Sequence, residues 1–305
     1  MNIRIGTRGS KLALWQTHFV KTELEKYFPE NTFEIIIIKT IGDQILDTAL
    51  SQIGDKGLFT KELENALMNE EVDLAVHSLK DVPSILPDEL TLASILERED
   101  VHDVLISRNN IPLAQLPLNA TIATGSLRRR AQLMHFRSDF TIVELRGNVD
   151  TRFRKFDESE WDGMILACAG VKRMNYAERI AEIISSAILL PAVGQGAIAI
   201  ETRNDDIATK EIVQKLHHAE TGYAVKAERA LLRRLEGGCQ VPIGANAIVS
   251  GNQIILTGTI TSLDGKLFVR DALNGNCNDA ERIGVSLAEK LLQSGGEKIL
   301  DEIRK

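Results

Sequence analysis

Residues 235–244 read LEGGCQVPIG and place one thiol, Cys239, between a glycine pair and Gln240. A cysteine attacks as its thiolate, which the nearby Arg233 and Arg234 would favour, and the glycines leave its approach open. A second candidate is Asp81 in DLAVHSLKDVP, residues 73–83, where an apolar strand gives out into a polar turn and Pro83 biases Val82 towards an extended shape. A carboxylate at the carboxyl end of a parallel strand could stabilise a cation or relay a proton in a ligand site. The plainer reading of a lone Asp81 is a turn cap or a pair with Lys80. The third candidates are two Gly-Ser turns, GTRGSKLAL from Gly6 and ATGSLRRRAQL from Ala123. Each offers a capping serine, Ser10 or Ser126, with Arg8, Arg128 and Arg129 in or beside the turn. The free N–H groups and positive end of a helix there favour an anion.

Other chemistries find less support. Neither turn fits the G-x-x-x-x-G-K-[ST] loop, which disfavours phosphate transfer. Gly194-Gln195-Gly196 formally satisfies G-x-G-x-x-A, but it follows Pro191 and leads into an apolar, strand-like run instead of opening a helix. A hinge or crossover between domains is the simpler reading. His77 has no second metal ligand nearby and reads as a packed, hydrogen-bonded histidine; no metal site is expected. None of the six histidines falls in a motif that would supply the base of a cysteine hydrolase. Cys168, in the apolar run MILACAG, reads as a small buried residue, and Cys277, in the polar NGNCND turn, has no evident role.

These residues must be positioned by elements that the pattern predicts. A strand at Ile3–Ile5 leads through the first turn into a helix over Lys11–Phe28 capped by Ser10. Strands at Phe33–Lys39 and Val72–Val76 flank a helix near Lys61–Asn69, and this β-α-β order predicts a mostly parallel sheet. A strand at Thr121–Ala123 then runs into the second turn and a helix from Leu127, so the opening pattern returns. Further strands are expected at Thr141–Leu145, Gly163–Ala167 and Ile198–Glu201. After Glu220 the character changes: a helix over Tyr223–Glu236, three strands with turns at Gly251-Asn252 and Asp264-Gly265, and a helical pattern from Ala280 broken at Gly295-Gly296. Two similar α/β units followed by a small α+β unit are expected.

The 305 residues suffice for two or three domains, and no apolar run is long enough to span a bilayer. The start, MNIRIGTRGS, lacks a basic-then-apolar leader, so a cytoplasmic protein is expected. Three cysteines without C-x-x-C spacing speak against a disulfide framework. A formal net charge of −7 disfavours generic nucleic-acid binding, yet Arg128, Arg129, Arg130, Arg137, Arg146, Arg152, Arg154 and Arg173 crowd one segment. A local arginine cluster on an acidic protein points to a specific small polyanion.

In order along the chain stand GTRGSKLALWQ from Gly6, GDKGLFTKELE from Gly54, AVHSLKDVP from Ala75, TGSLRRRAQL from Thr124, LRGNVDTR from Leu145, PAVGQGA from Pro191 and LEGGCQVPIGA from Leu235. Together these stretches closely resemble the porphobilinogen deaminase (hydroxymethylbilane synthase) family, over essentially the whole chain. The resemblance implies two periplasmic-binding-protein-like α/β domains with a cleft between them and a small C-terminal α+β domain. Domain 1 would comprise residues 1–98 and 197–216, domain 2 residues 99–196, and domain 3 residues 219–305, carrying the cofactor cysteine. It implies a dipyrromethane cofactor on Cys239 through a thioether, and four porphobilinogen molecules condensed head to tail upon it with loss of ammonia, before hydrolysis releases hydroxymethylbilane.

By the same resemblance Asp81 is the catalytic aspartate, and Lys80, Ser126, Arg128, Arg129 and Arg146 hold the cofactor. Arg8, Ser10, Arg152, Arg173, Gln195 and Lys56 hold the substrate. Lys61 ranks with Lys56, near the end of a mobile loop, and Arg130, Arg137 and Arg154 stay unassigned. Gly125 departs from the family, which often has Ser there. The expected partners are porphobilinogen and the growing polypyrrole, with no nucleic acid, no membrane and a monomeric state. The main rival is a two-domain small-anion binding protein without catalysis; a cysteine hydrolase is the weaker one.

Overall fold

The computed structural model describes residues 1–44, 57–236 and 241–304. The first part of the chain forms β1 (Asn2–Thr7), α1 (Lys11–Tyr27), β2 (Thr32–Ile37), α2 (Lys61–Met68), β3 (Leu74–Ser78) and β4 (Leu90–Ile95). Next come β5 (Asp103–Ser107), β6 (Thr121–Ala123), α3 (Leu127–Phe136), β7 (Thr141–Val143), α4 (Val149–Asp157), β8 (Gly163–Ala167), α5 (Cys168–Arg173) and β9 (Glu182–Ile183). The last part holds β10 (Ile198–Arg203), α6 (Ile207–Val213), α7 (Ala219–Arg234), β11 (Ile243–Ser250), β12 (Gln253–Thr261), β13 (Phe268–Asn276), α8 (Ala280–Leu291) and α9 (Glu297–Arg304). No helix among the described residues is long and apolar enough to cross a membrane.

By contacts the described residues divide into two compact units, 1–44 with 57–99 and 196–222, and 100–195 with 223–236 and 241–304. The first unit is built on a five-stranded sheet of order β2-β1-β3-β10-β4, in which β1 runs parallel to β2 and β3 while β10 runs antiparallel to both its neighbours. The second contains a sheet of order β7-β6-β8-β5-β9 with the same pattern: β6 parallel to β7 and β8, β5 antiparallel to β8 and β9. The expected repeat is therefore a repeat of topology, β1 answering to β6 and β10 to β5. The expected mostly parallel sheet is corrected to a mixed one. The antiparallel members β5 and β10 enter their sheets just after the chain passes from one unit to the other, at 99/100 and 195/196, and a local β-α-β pattern says nothing of strands that arrive this way.

Both repeats use a serine to start their first helix. Ser10 accepts a hydrogen bond from the Ala13 N–H and Ser126 from the Arg129 N–H, satisfying donors that the first helical turn leaves unpaired. The helix α1 buries Ala13, Gln16, Thr17, Val20 and Leu24, the spacing of one face, against a cluster that includes Ile3, Ile5 and Leu74. The other face of that sheet meets Leu63, Ala66 and Leu67 of α2. In α3 the buried face opens with Arg128 and Arg129 ahead of Ala131, Gln132 and Leu133, an arrangement that requires partners for two charges.

The small C-terminal domain is a three-stranded antiparallel meander, β11-β12-β13, with α7 and α8 packed on it. Cys277, read as a turn residue, is buried in this core with its thiol 3.7 Å from the Gly251 carbonyl, because the turn folds back over the domain. The helices touch at Gly284, where a Cβ would stand 2.7 Å from the Ala230 Cβ and against the Ala227 carbonyl. We expect Gly284→Ala to destabilise the protein by about 1–3 kcal/mol through overpacking, read as a lower urea midpoint at unchanged m-value. An unchanged midpoint would show that the two helices have room to part.

Candidate active site

In the first unit, β3 ends at Ser78 and a single tight turn, Leu79–Asp81, carries Asp81 out of the sheet. The turn is pinned by the Leu79 N–H donating to the Ala197 carbonyl of the neighbouring segment (3.0 Å) and the Val82 N–H to the Leu79 carbonyl (3.1 Å). Asp81 then faces a pocket whose lining includes Arg8, Ser10, Gln16, Phe59 and Ser78. Its carboxylate lies 3.9 Å from Arg8 Nη1, and the Arg8 guanidinium sits over the Phe59 ring at 4.1 Å. The Gln16 amide and the Ser78 hydroxyl bond each other, at 2.8 and 3.1 Å, closing one wall. The sequence singled out Arg8, Ser10 and Asp81, and the structure brings them together. It missed Gln16, Phe59 and Ser78, whose proximity comes from tertiary packing.

Beneath this pocket His77 Nε2 stands 3.0 Å from Glu201 Oε2, both side chains buried, as a packed histidine should be. Glu64 on α2 is buried as well; burial raises its carboxyl above the ordinary range, and the Glu201 charge adds to the rise. Lys80 is half-buried beside Asp81, while Lys61, the first residue of α2, is exposed. Lys56 lies outside the described residues.

In the second unit the arginines gather around a residue the sequence did not single out, Asp103. Its fully buried carboxylate accepts from Arg128 Nη1 (2.7 Å), from Arg129 Nε (3.0 Å) and Nη2 (2.7 Å), and from Gln195 Nε2 (2.9 Å). Burial alone would raise the Asp103 carboxyl, but the two guanidinium charges and their hydrogen bonds outweigh it and hold it well below the usual carboxylate range. Arg128 also donates to the Leu190 carbonyl and Arg129 to that of Ile165. Gln195 spends both amide hydrogens inside the protein, on Asp103 and on the Val101 carbonyl at 2.7 Å.

Arg146 follows β7 and packs beside the turn at Gly125, where a Cβ would stand 2.7 Å from the Leu145 carbonyl and 2.9 Å from Glu144 Oε1. That close approach is a physical reason for glycine at a place where a side chain was expected. Arg146 itself is 9% exposed, and its Nε and Nη2 are buried without a hydrogen-bond partner among the described residues. The nearest carboxylate, Glu144 Oε1, is 3.6 Å away. Buried guanidinium donors left unmet cost free energy, so the position is open to an acceptor that the described residues do not supply.

The remaining arginines differ. Arg152 is half-buried and donates through Nε to the Gly147 carbonyl (2.8 Å), and Arg173 is half-buried at the end of α5. Arg130 is exposed, Arg154 pairs with Glu158 at 3.3 Å on the surface of α4, and Arg137 binds Asp139 and the carbonyls of Leu116 and Pro117. Cys168 is buried, as its apolar context implies. Cys239 lies outside the described residues.

With two buried donors lacking a hydrogen bond among the described residues, Arg146 is expected to add little to folding. We expect Arg146→Met to leave stability unchanged or to raise it by up to about 1–2 kcal/mol, measured by thermal unfolding of the protein stripped of small molecules. A fall of several degrees would mark the side chain as structural.

The chain matches the family model described as "Porphobilinogen deaminase, dipyromethane cofactor binding domain" over residues 3–211, and that described as "Porphobilinogen deaminase, C-terminal domain" over residues 223–293. It is 53% identical over 305 residues to the porphobilinogen deaminase of Chlorobium limicola, covering 99% of this chain and 97% of that one. It is 51% identical over 301 residues to that of Carboxydothermus hydrogenoformans, with the same coverage. Among solved structures it is similar to the aliphatic sulphonate binding protein SsuA from Escherichia coli, at 14% identity and a TM-score of 0.41 over 77% of this chain and 70% of that one, too distant a likeness to carry an argument. With both family models matched in order and half of all residues shared with relatives of the same length, the chain belongs to the porphobilinogen deaminase family.

Proposed function

We propose that this protein condenses four porphobilinogen molecules head to tail on a covalently bound dipyrromethane, releasing one ammonia per step, and then frees hydroxymethylbilane by hydrolysis. In the structure the observation that carries the reading is Asp81, held at the end of β3 in a pocket with Arg8 3.9 Å away. A carboxylate beside a guanidinium suits a substrate that carries carboxylates and develops positive charge during reaction.

Each condensation breaks the bond from the aminomethyl carbon to nitrogen, the amine leaving as ammonia with an added proton, and forms a carbon–carbon bond as the attacked pyrrole carbon loses a proton. Asp81 is proposed to accept a hydrogen bond from the substrate's pyrrole N–H and to stabilise the positive charge that appears as ammonia departs. Arg8 and Ser10 hold the substrate's acetate and propionate groups, with Arg152, Arg173 and Lys56 in the same role. Gln195, whose amide hydrogens are both engaged, contributes through Asp103.

The residues present fit dipyrromethane. Its carboxylates need donors, and Arg146 offers two that the described residues leave unmet, in addition to the net positive charge of Arg128 and Arg129 around one carboxylate. When bound, that group supplies the nucleophilic pyrrole carbon for the first condensation. Arg128, Arg129 and Arg146, with Ser126 and Lys80, are the proposed holders, and Cys239 the proposed thioether anchor. The proposal divides the chain at 1–98 with 197–216, 99–196 and 219–305, the last part carrying Cys239. A monomeric state follows from the family resemblance, and light scattering tests it; the location is expected to be cytoplasmic.

Two experiments test the proposal. The intact mass of the native protein should exceed the chain mass by two pyrrole units, and Cys239→Ser should fold and lack that excess. A native chain that stays unmodified even after porphobilinogen is added would overturn the anchoring. Asp81→Ala should keep the covalent group yet release ammonia from porphobilinogen about 10²–10⁴-fold more slowly. Near-normal release would remove Asp81 from the chemistry.

A further inference from the structure

Asp103 is the first residue of β5 and stands shortly after the passage between units at 99/100, while Gln195 is the last residue before the return at 195/196. One carboxylate thus joins both passages to the first turn of α3 through four hydrogen bonds of 2.7–3.0 Å. The charges do not cancel: two guanidiniums share a single carboxylate, and all three side chains are at most 6% exposed. Like charges brought this close repel unless an anion stands between them, so the position of Asp103 dictates how the two guanidiniums lie.

The way the donors are used matters as much as the charge. Arg128 makes both of its bonds through Nη1, one to Asp103 and one to the Leu190 carbonyl. The edge formed by its Nε and Nη2, the edge that grips a carboxylate in a fork, is not used by either. Arg129 is turned the opposite way, presenting its Nε–Nη2 edge to Asp103. A backbone carbonyl holds each as well, Leu190 at the same Nη1 of Arg128 and Ile165 at Nη1 of Arg129, so neither can swing without breaking a buried bond.

We propose that Asp103 is a positioning residue for the cofactor: it fixes Arg128 and Arg129 in crossed orientations, one edge inward and one outward, so that the pair meets an incoming carboxylate already aligned. This inference rests on the proposed role of Arg128 and Arg129 in holding dipyrromethane. Prior alignment lowers the cost of binding, because the guanidinium rotamers are fixed before the ligand arrives. A merely neutralising role would need only a negative charge near the pair. Positioning needs the carboxylate at this reach.

The test is the rate at which the full-length chain, freed of dipyrromethane, gains the mass of two pyrrole units when porphobilinogen is added. Asp103→Asn, equal in size but uncharged, should load at least tenfold more slowly than the wild type. Asp103→Glu, which keeps the charge and moves it by one methylene, should load at least threefold more slowly while still unfolding cooperatively. Loading of Asp103→Glu at the wild-type rate would overturn the positioning role, whether or not Asp103→Asn folds. Arg128→Gln and Arg129→Gln serve as controls for the reading beneath. If they load as fast as the wild type, the arginines do not hold the cofactor and both ideas fall. If they load slowly while the Asp103 variants do not, the inference alone fails.

Discussion

Burying two arginines at the start of a helix is the constraint from which much of the second unit follows. A guanidinium cannot leave water without an acidic or carbonyl partner, and here two of them, 5% exposed, share one carboxylate. A unit charge pair at about 4 Å is worth about 4 kcal/mol at an effective dielectric near 20, enough to hold Asp103 ionised in a fully buried place. The partner had to come from a strand that lies beside β8 in the sheet, and β5 fulfils that by placing its first residue there. The carbonyls of Ile165 and Leu190 complete the set, so the cluster fixes β5, β8, α3 and the 190s segment against one another.

The same economy shapes α3 along its length. Its N-terminus is capped by Ser126 and carries the paired arginines, its middle presents Gln132, and its end presents His135. Gln132 exchanges two hydrogen bonds with Leu190, through Oε1 at 2.8 Å and Nε2 at 3.2 Å. His135 stacks on Phe268 with ring centroids 4.2 Å apart and bonds the Gly265 carbonyl, which reaches into the hairpin between β12 and β13. One helix therefore joins the arginine cluster to the small domain that carries the 241–304 part of the chain. A rigid strut of this kind is how an anchored group and the charges that hold it would be kept in register.

Much of this was legible in the sequence, for reasons that vary by element. Thr121–Ala123 and Gly163–Ala167 were read to the residue, and the helix starts after Ser10 and Ser126 followed from a capping serine ahead of a periodic apolar pattern. The strands β4, β5 and β9 escaped. Leu90–Ile95 and Glu182–Ile183 carry weak alternation, and Asp103–Ser107 opens with a charge that local pattern reads as a loop. Asp103 escaped with its strand. A buried aspartate is intelligible only beside Arg128 and Arg129, 25 and 26 residues away, and nothing local records that distance. The arginines themselves were conspicuous by number, but sequence could not separate Arg146, with unmet donors, from Arg137, fully occupied at a surface turn.

That separation is informative about function. A protein that only needed stability would pair or remove a buried guanidinium, since an apolar side chain of similar size does as well or better. Arg137 follows that rule, with Asp139 at 2.7 Å, and Arg154 stands in solvent beside Glu158. Arg146 departs from the rule: Glu144 lies 3.6 Å away, beyond hydrogen-bond reach, and two of its buried donors have no hydrogen-bond partner among the described residues, while Arg8 lies over the Phe59 face, 3.9 Å from Asp81. Positive charge beside a carboxylate serves a substrate that brings several negative charges and becomes transiently positive at one carbon. Tight internal pairing would compete with the first property, and the absence of a carboxylate would forfeit the second.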